Sequence, residues 1–253
     1  MDEQEASDVQ DKIREERKPQ KLKRFYKKAT VAGKKAPFGI KLDGRVLKTP
    51  MKTALELPTR KLARKIADEW NEQGEFVEVE EMFVNKYANT AIDRVEPRRQ
   101  EIVDEIVAYA SSDLVCYRAE APQGLVDRQA ESWDAVLKWA EETHGLTFIC
   151  VAGIIYATQP DATLGTMHKM LTETKSSYEL TAIHNLTTLL GSGLLAVAAC
   201  EGAFSDDEVW NAAHLDEDWN LELWGADDDA AARRLKRRKE FDGILAFHRL
   251  ACA

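Results

Sequence analysis

Residues 38–49 read FGIKLDGRVLKT, two runs of strand-forming residues on either side of an Asp-Gly pair at 43–44. A two-residue type I′ turn needs positive φ at both central positions. Asp-Gly accepts that conformation, so the stretch predicts a β-hairpin. In this register Ile40 lies opposite Leu47, and Leu42 shares their face. That apolar face has to be covered by another element.

The residues after the hairpin predict such a cover. The run PTRKLARKIADEWNEQG at 58–74 is typical of an amphipathic helix with a glycine stop. Its apolar positions recur every four residues: Leu62, Ile66 and Trp70. EFVEVEEM at 75–82 predicts a further strand. Residues 22–95 therefore predict a small N-terminal domain, an antiparallel sheet backed by a helix, behind a disordered charged tail at 1–21.

Beyond residue 96 the pattern becomes helical, and only TFICVAGIIYATQ at 147–159 is ambiguous between a buried strand and an extended connector. Helices are predicted at about 97–112, 124–143, 161–174, 177–200, from 205, and at about 227–250. A capping box, Ser205 with Glu208, marks the start of the fifth. The fold class is α+β, with residues 96–253 forming a C-terminal helical bundle domain.

The charge balance excludes several classes of function. Thirty-five basic against 44 acidic side chains give a net charge of −9, which argues against nucleic acid or an anionic membrane as the main partner. The longest apolar stretch, 186–200, is too short and too polar to span a bilayer, so no membrane insertion is expected. The basic segment 17–35 contains Phe25 and Tyr26. It has two interpretations, a lysine-rich strand edge or an arm that binds nucleic acid, and both stay open.

Linear motifs for catalysis are absent from the sequence. No phosphate-binding glycine loop occurs, and Gly191-Ser192-Gly193 lacks the spacing of a nucleophile elbow; small residues there favour close helix packing. His214, followed by Leu-Asp-Glu, is the best candidate metal ligand against an ordinary helix-end histidine. Four cysteines separated by at least 34 residues fit a reducing compartment and no zinc clip. The missing motifs do not exclude a catalytic site whose residues come together only on folding.

Residues 206–229 differ from the rest of the chain. They hold ten carboxylates, no lysine or arginine, and three of the six tryptophans. If 215–224 is helical, Leu215, Trp219 and Leu223 share one face, while Leu221 and Trp224 lie on another near Glu217. The second stripe is then left among carboxylates, as in protein-binding surfaces. The alternative is that the tryptophans are core and the acids neutralise the basic run at 233–239.

Several segments together resemble one family, the chaperones that assemble the F1 part of ATP synthase by binding its α subunit. They follow in family order over about 22–250: RFYK at 24, LDGRVLKTP at 42, IADEW at 66, NTAID at 89, SSDLVCYRAEAP at 111, WDAVLKW at 133, SSYELTAIHNLTTLLGS at 176 and LDEDWNLELWGADDDA at 215. The resemblance implies an N-terminal α/β domain, a C-terminal orthogonal bundle, and a chaperone rather than an enzyme.

The resemblance also implies partners and a site. Family members hold the free α subunit until the β subunit displaces them, without nucleotide, metal or other cofactor. The expected partner-binding residues are the family's acidic positions near the C-terminus, the apolar residues beside them, and the glutamate of the YELTA motif. They are Asp216, Glu217, Trp219, Leu221, Glu222, Trp224, Asp227 and Glu179. Glu179 can equally cap a helix. A monomer is expected. The bacterial cytoplasm is the expected location, because mitochondrial relatives carry a transit peptide and this N-terminus has no such pattern; a mature mitochondrial form stays open as the alternative.

Two rival functions stay open at this point. One is an enzyme of unknown type, which a deep pocket with convergent titratable groups would favour. The other is a nucleic-acid-binding protein that uses the basic segment 17–35.

Overall fold

The computed structural model describes residues 22–153, 155–225 and 228–252. The fold is α+β, as predicted: short antiparallel strands come first, and helices follow. The strands of the first part are β1 (Leu22–Lys23), β2 (Ala29–Ala32), β3 (Gly39–Leu42), β4 (Arg45–Val46) and β5 (Phe76–Val77). The tail predicted to be disordered, 1–21, lies outside the described residues.

The hairpin is confirmed in its register. Strand β3 pairs antiparallel with β4, Leu42 opposite Arg45, and Asp43 and Gly44 have φ of 47° and 86°. The Leu47 amide donates to the Ile40 carbonyl at 2.8 Å. Strand β2 pairs with the other edge of β3, which completes a three-stranded sheet in the order β2-β3-β4.

The predicted cover is helix α1, Arg60–Asn71. Thr59 caps it by accepting from the Leu62 amide at 3.0 Å. Leu62, Ile66 and Trp70 are all buried against the sheet. Burial of each such side chain stabilises the fold by about 1.5–3 kcal/mol, so this local pattern fixes the N-terminal part.

The strand predicted at 75–82 is mostly wrong. Only Phe76–Val77 pairs, with β1, and a 3-10 turn, Val79–Glu81, follows. Helix α2, Phe83–Thr90, comes next because Glu69 on α1 accepts from the amides of Val84 and Asn85 at 2.9 and 2.8 Å. The carboxylate of a distant helix thus supplies the cap that the local sequence lacks.

The C-terminal part is helical, with one short parallel pair, β6 (Tyr117–Arg118) and β7 (Val151–Ala152), so the ambiguous segment 147–159 is mainly a connector. Its helices are α3 (Arg99–Ala110), α4 (Gln123–His144), α5 (Asp161–Thr174), α6 (Ser177–Leu190), α7 (Gly193–Glu201), α8 (Asp206–Ala213), α9 (Leu215–Trp224) and α10 (Asp228–Ala251). No helix among the described residues combines the length and apolar character needed to cross a membrane.

The single helix predicted at 177–200 is wrong, because the chain breaks between α6 and α7. Gly191 takes the left-handed conformation, with φ of 71°, and Ser192 caps α7 by accepting from the Leu195 amide at 3.0 Å. A Cβ on Gly193 would lie 3.3–3.4 Å from Met167 and the Ile106 carbonyl. Small residues therefore allow close packing here, as predicted.

Helix α10 joins the two parts of the chain. It packs against α1 and α2 of the first part and against α6 and α7 of the second. Thr59 donates to the Leu250 carbonyl, and Tyr178 donates to the Glu56 carbonyl. One continuous hydrophobic core runs through both parts. The division of the chain at 95/96 into two domains stays a prediction.

Candidate functional site

Helix α9 carries most of the predicted site, and it lies on the surface of α4. The indole of Trp219 covers Gly124, where a Cβ would come within 2.9 Å of the ring, and the Arg128 guanidinium lies 4.8 Å from the ring centroid. Gln129 donates to Asp216 at 2.8 Å. Helix α9 has no fully buried residue, so these contacts hold a helix that stays at the surface.

Glu222 is held by the same arginine. Its Oε1 accepts from Arg128 Nη1 at 2.8 Å, and this hydrogen bond lowers the pKa of the Glu222 carboxyl. Arg128 therefore contacts both the ring of Trp219 and the carboxylate of Glu222. The sequence pattern did not single out Arg128, because it lies 94 residues before its partner.

Glu217 faces α10 instead. Its carboxylate lies 3.6 Å from Arg234 and 3.4 Å from Arg237, and Asp218 lies 2.6 Å from Arg234. Glu217 and Asp218 thus pair with part of the basic run at 233–239, which agrees with the alternative that the sequence offered to an acidic binding surface. Helix α9 therefore carries both acidic residues that pair with the basic run and apolar residues that are exposed.

The end of α9 is where apolar residues meet solvent. Trp224 is 84% exposed and Leu223 is 58% exposed. Leu221 lines a cleft of about 450 Å³ between α9 and α10, with Glu217 on the same wall and Arg233 and Arg237 opposite. Leu221 therefore lies near Glu217, as the helical pattern predicted, while Trp224 is left in solvent.

Leu215, Trp219 and Leu223 share one helical face, as predicted, but this face is not buried along its whole length. Leu215 packs on the core, and Trp219 is half-buried, but Leu223 is mostly in solvent. The supporting helix α4 begins at Gln123, and Trp219 already lies against Gly124. In the last turn of α9, Glu222 still pairs with Arg128 on α4, while Leu223 and Trp224 are left exposed. We call Leu223 and Trp224 the α9 tip.

Two further site residues lie elsewhere. Glu179 sits at the start of α6 in a capping box, where its Oε2 accepts from the Ser176 amide at 2.8 Å, so the capping role left open by the sequence is observed. Its neighbours are Lys175 and the end of α10 rather than α9. Asp227 lies outside the described residues.

The other candidates for chemistry have structural roles. Ser192 is buried as the cap of α7 and donates to the buried Asp113. His214 ends α8, where its Nδ1 bonds to the Trp210 carbonyl at 2.8 Å and its ring stacks on Trp210. Burial lowers the pKa of His214. This fits the helix-end histidine rather than the metal ligand.

In the basic segment, Arg24 also has a structural role. Its guanidinium donates to the backbone carbonyls of Tyr26, Lys27 and Asn71 and lies 4.8 Å from the Tyr26 ring. Asp43 accepts from the amides of Lys27 and Lys28. These contacts support the interpretation of the segment as a lysine-rich strand edge.

The fold, short antiparallel strands followed by a helical part, defines an α+β protein. The model of the ATP12 chaperone protein family matches residues 23–141. A putative chaperone from Agrobacterium tumefaciens is 40% identical, with a TM-score of 0.86 over 91% of this chain and 86% of that one. Atp12 from Paracoccus denitrificans is 31% identical in sequence to this chain. Its crystal structure matches with a TM-score of 0.85 over 91% of this chain and 98% of that one.

A curated relative extends the likeness to eukaryotes. The mitochondrial protein atp12 of Schizosaccharomyces pombe is 22% identical over 221 residues, 83% of this chain and 76% of the relative. The chain belongs to the ATP12 chaperone family, the chaperones of F1-ATPase assembly.

Proposed function

We propose that this chain binds the unassembled α subunit of F1 and shields the surface through which α meets its neighbours until the β subunit displaces it. The observation that carries this proposal is the α9 tip, where Trp224 is 84% exposed beside Leu223. Leaving a large apolar side chain in water forgoes about 1.5–3 kcal/mol of burial energy. Aromatic side chains rimmed by charge are typical anchors of protein interfaces.

The mechanism requires binding that is reversible without an energy source. A free subunit exposes apolar surface meant for its neighbours, and such surface aggregates. A small apolar anchor covers part of it, while the carboxylates around α9 speed the encounter through long-range attraction. The β subunit then competes for the same surface of α. Exchange of one partner for another replaces any need for ATP.

We infer that it acts as a monomer in the bacterial cytoplasm, without catalysis or a nucleotide, and that residues 22–95 and 96–253 serve as two domains. Support for binding over catalysis comes from Ser192 Oγ and His214 Nδ1, which form hydrogen bonds at helix ends. The cleft between α9 and α10 gathers opposite charges that pair with one another.

The sharpest test replaces Trp224 by alanine. Truncating a central aromatic anchor costs about 2 kcal/mol or more, or roughly thirtyfold in Kd. Binding of purified α subunit, followed by titration and by protection of α from aggregation, measures the loss. Tyr156→Ala is the matched control, because Tyr156 is an aromatic side chain 67% exposed elsewhere in the C-terminal part.

Equal binding of α by the Trp224→Ala variant and the parent would exclude the α9 tip as the anchor. Co-purification with β alone, or with neither subunit, would contradict the choice of α. Charge reversal of Glu217 and Glu222 is a weaker test, since both carboxylates pair with arginines of the chain itself. Lysine at those positions would disturb the seating of α9 as well as the rim.

A further inference from the structure

Three metal-ligating side chains meet where α6 begins and α10 ends. Glu179 lies in the first turn of α6, His248 in the last turn of α10, and Cys252 one residue beyond α10. Each offers one ligand atom, and these atoms all lie within 4.8 Å of one another. They are of three kinds: a carboxylate oxygen, an imidazole nitrogen and a thiol sulfur.

We propose that Glu179, His248 and Cys252 form a binding site for a divalent transition-metal ion, with zinc the best match. Zinc takes sulfur, nitrogen and oxygen ligands at about 2.0–2.3 Å, usually in a tetrahedron. Thiol and imidazole donors disfavour magnesium and calcium, which prefer oxygen. A shift of about 1 Å in side-chain positions brings the three atoms to tetrahedral spacing. The fourth position is left to water.

The local structure orients the donors. His248 and Cys252 are four residues apart at the end of α10, so one helical turn places them on the same face. Glu179 is fixed by the capping box, in which the Ser176 amide donates to Oε2 at 2.8 Å. A hydrogen bond from the backbone to a ligating carboxylate is the kind of support that metal ligands ordinarily have.

The exposure of the ligands also suits a metal. His248 is buried and Cys252 is exposed, so an ion has a path from solvent to the cluster. A cysteine binds metal as its thiolate, so the ion displaces a proton when it binds.

Nearby charged side chains set the ionic charge that the proposed site can bind. Lys175 Nζ lies 4.0 Å from Glu179, but it is closer to Glu201, at 3.0 Å, which neutralises it. Arg249 pairs with Asp206. The thiolate and the Glu179 carboxylate then offset the charge of one divalent ion. The cluster supplies one group of three ligand atoms, so the expected stoichiometry is one ion per chain.

The test titrates Zn²⁺ into the full chain after chelator treatment, in competition with a chromophoric chelator. One ion is expected per chain, and Cys252→Ser should weaken its binding at least about tenfold. His248→Asn should do the same. Cys150→Ser is the matched control, since Cys150 is another exposed thiol outside the cluster, and it should bind as the parent does.

Co²⁺ gives a second readout that loss of folding alone would not mimic. Thiolate ligation produces a charge-transfer band in the near ultraviolet, which should be present in the parent and in Cys150→Ser and absent in Cys252→Ser. Cys252 is exposed, so that variant keeps its fold, as thermal unfolding will verify. Equal zinc affinity in the parent and Cys252→Ser, or a Co²⁺ spectrum without a thiolate band, would overturn the site.

Discussion

Asp113 is a fully buried carboxyl group that ties the start of α7 to the turn before β6. It accepts from the Leu194 amide at 3.1 Å and from the Val115 amide at 3.3 Å, and Ser192 also donates to it. Burial dominates these hydrogen bonds and raises its pKa from 3.8 to about 6. The folded protein therefore holds this proton more tightly than the unfolded chain does.

This shift predicts an unusual pH dependence. The stability that Asp113 contributes is complete below the unfolded pKa and is lost as the pH rises through the folded pKa. The difference in unfolding free energy between the parent and Asp113→Asn should fall by about 1.4 kcal/mol for each pH unit between about 4 and 6. Urea unfolding of both proteins at several pH values measures it. A difference that does not vary with pH would contradict the raised pKa.

At the scale of the elements, the position of α9 depends on the absence of a side chain at Gly124. Alanine in a helix interior is ordinarily more stable than glycine by about 1 kcal/mol. Here the added Cβ would lie 2.9 Å from Cη2 of Trp219, so the indole or the whole of α9 has to move. The same contact fixes where the α9 tip leaves the bundle.

We expect Gly124→Ala to lower the unfolding free energy by about 1–3 kcal/mol, the usual range for overpacking. The tryptophan fluorescence should change as Trp219 shifts from Arg128. Gly165→Ala on α5 is the matched control, because nothing lies within 4 Å of its Cβ, and it should stabilise the protein. A gain of stability in both variants would mean that Trp219 moves aside at no cost.

Local patterns were sufficient for some elements and not for others. The hairpin and α1 were predictable because Asp43-Gly44 and the spacing of Leu62, Ile66 and Trp70 act over a few residues. The start of α2 was not, since its cap is the carboxylate of Glu69 on another helix. Exposure of Leu223 depends on which elements pack against the last turn of α9, and helical periodicity does not contain that information.

Some residues of the candidate site could likewise be predicted from the sequence, and others could not. The apolar and acidic residues of α9 could be found from composition, because they are contiguous. Arg128, which holds both Trp219 and Glu222, is brought to them only by the tertiary fold. A search for paired histidines also misses His248 with Cys252, although their spacing of four residues was visible, and Glu179 joins them from 69 residues earlier.

For the whole molecule, the packing of α10 decides whether the two parts of the chain unfold together. Phe247 on α10 is fully buried, and its ring centroid lies 5.7 Å from that of Tyr87 on α2 and 6.1 Å from that of Tyr178 on α6. Tyr87 also donates to Glu240 on α10 at 3.3 Å. One aromatic cluster therefore belongs to both parts.

A shared core predicts one cooperative transition rather than two. In scanning calorimetry the van't Hoff enthalpy of the parent should equal the calorimetric enthalpy. Phe247→Ala removes contacts on both sides and should cost about 3–5 kcal/mol. Because neither part keeps its packing without that cluster, the variant should shift the single transition to lower temperature without splitting it. Two separated transitions in the parent, or a variant in which one part melts early while the other keeps its original Tm, would show that residues 22–95 and 96–253 are stable independently of each other.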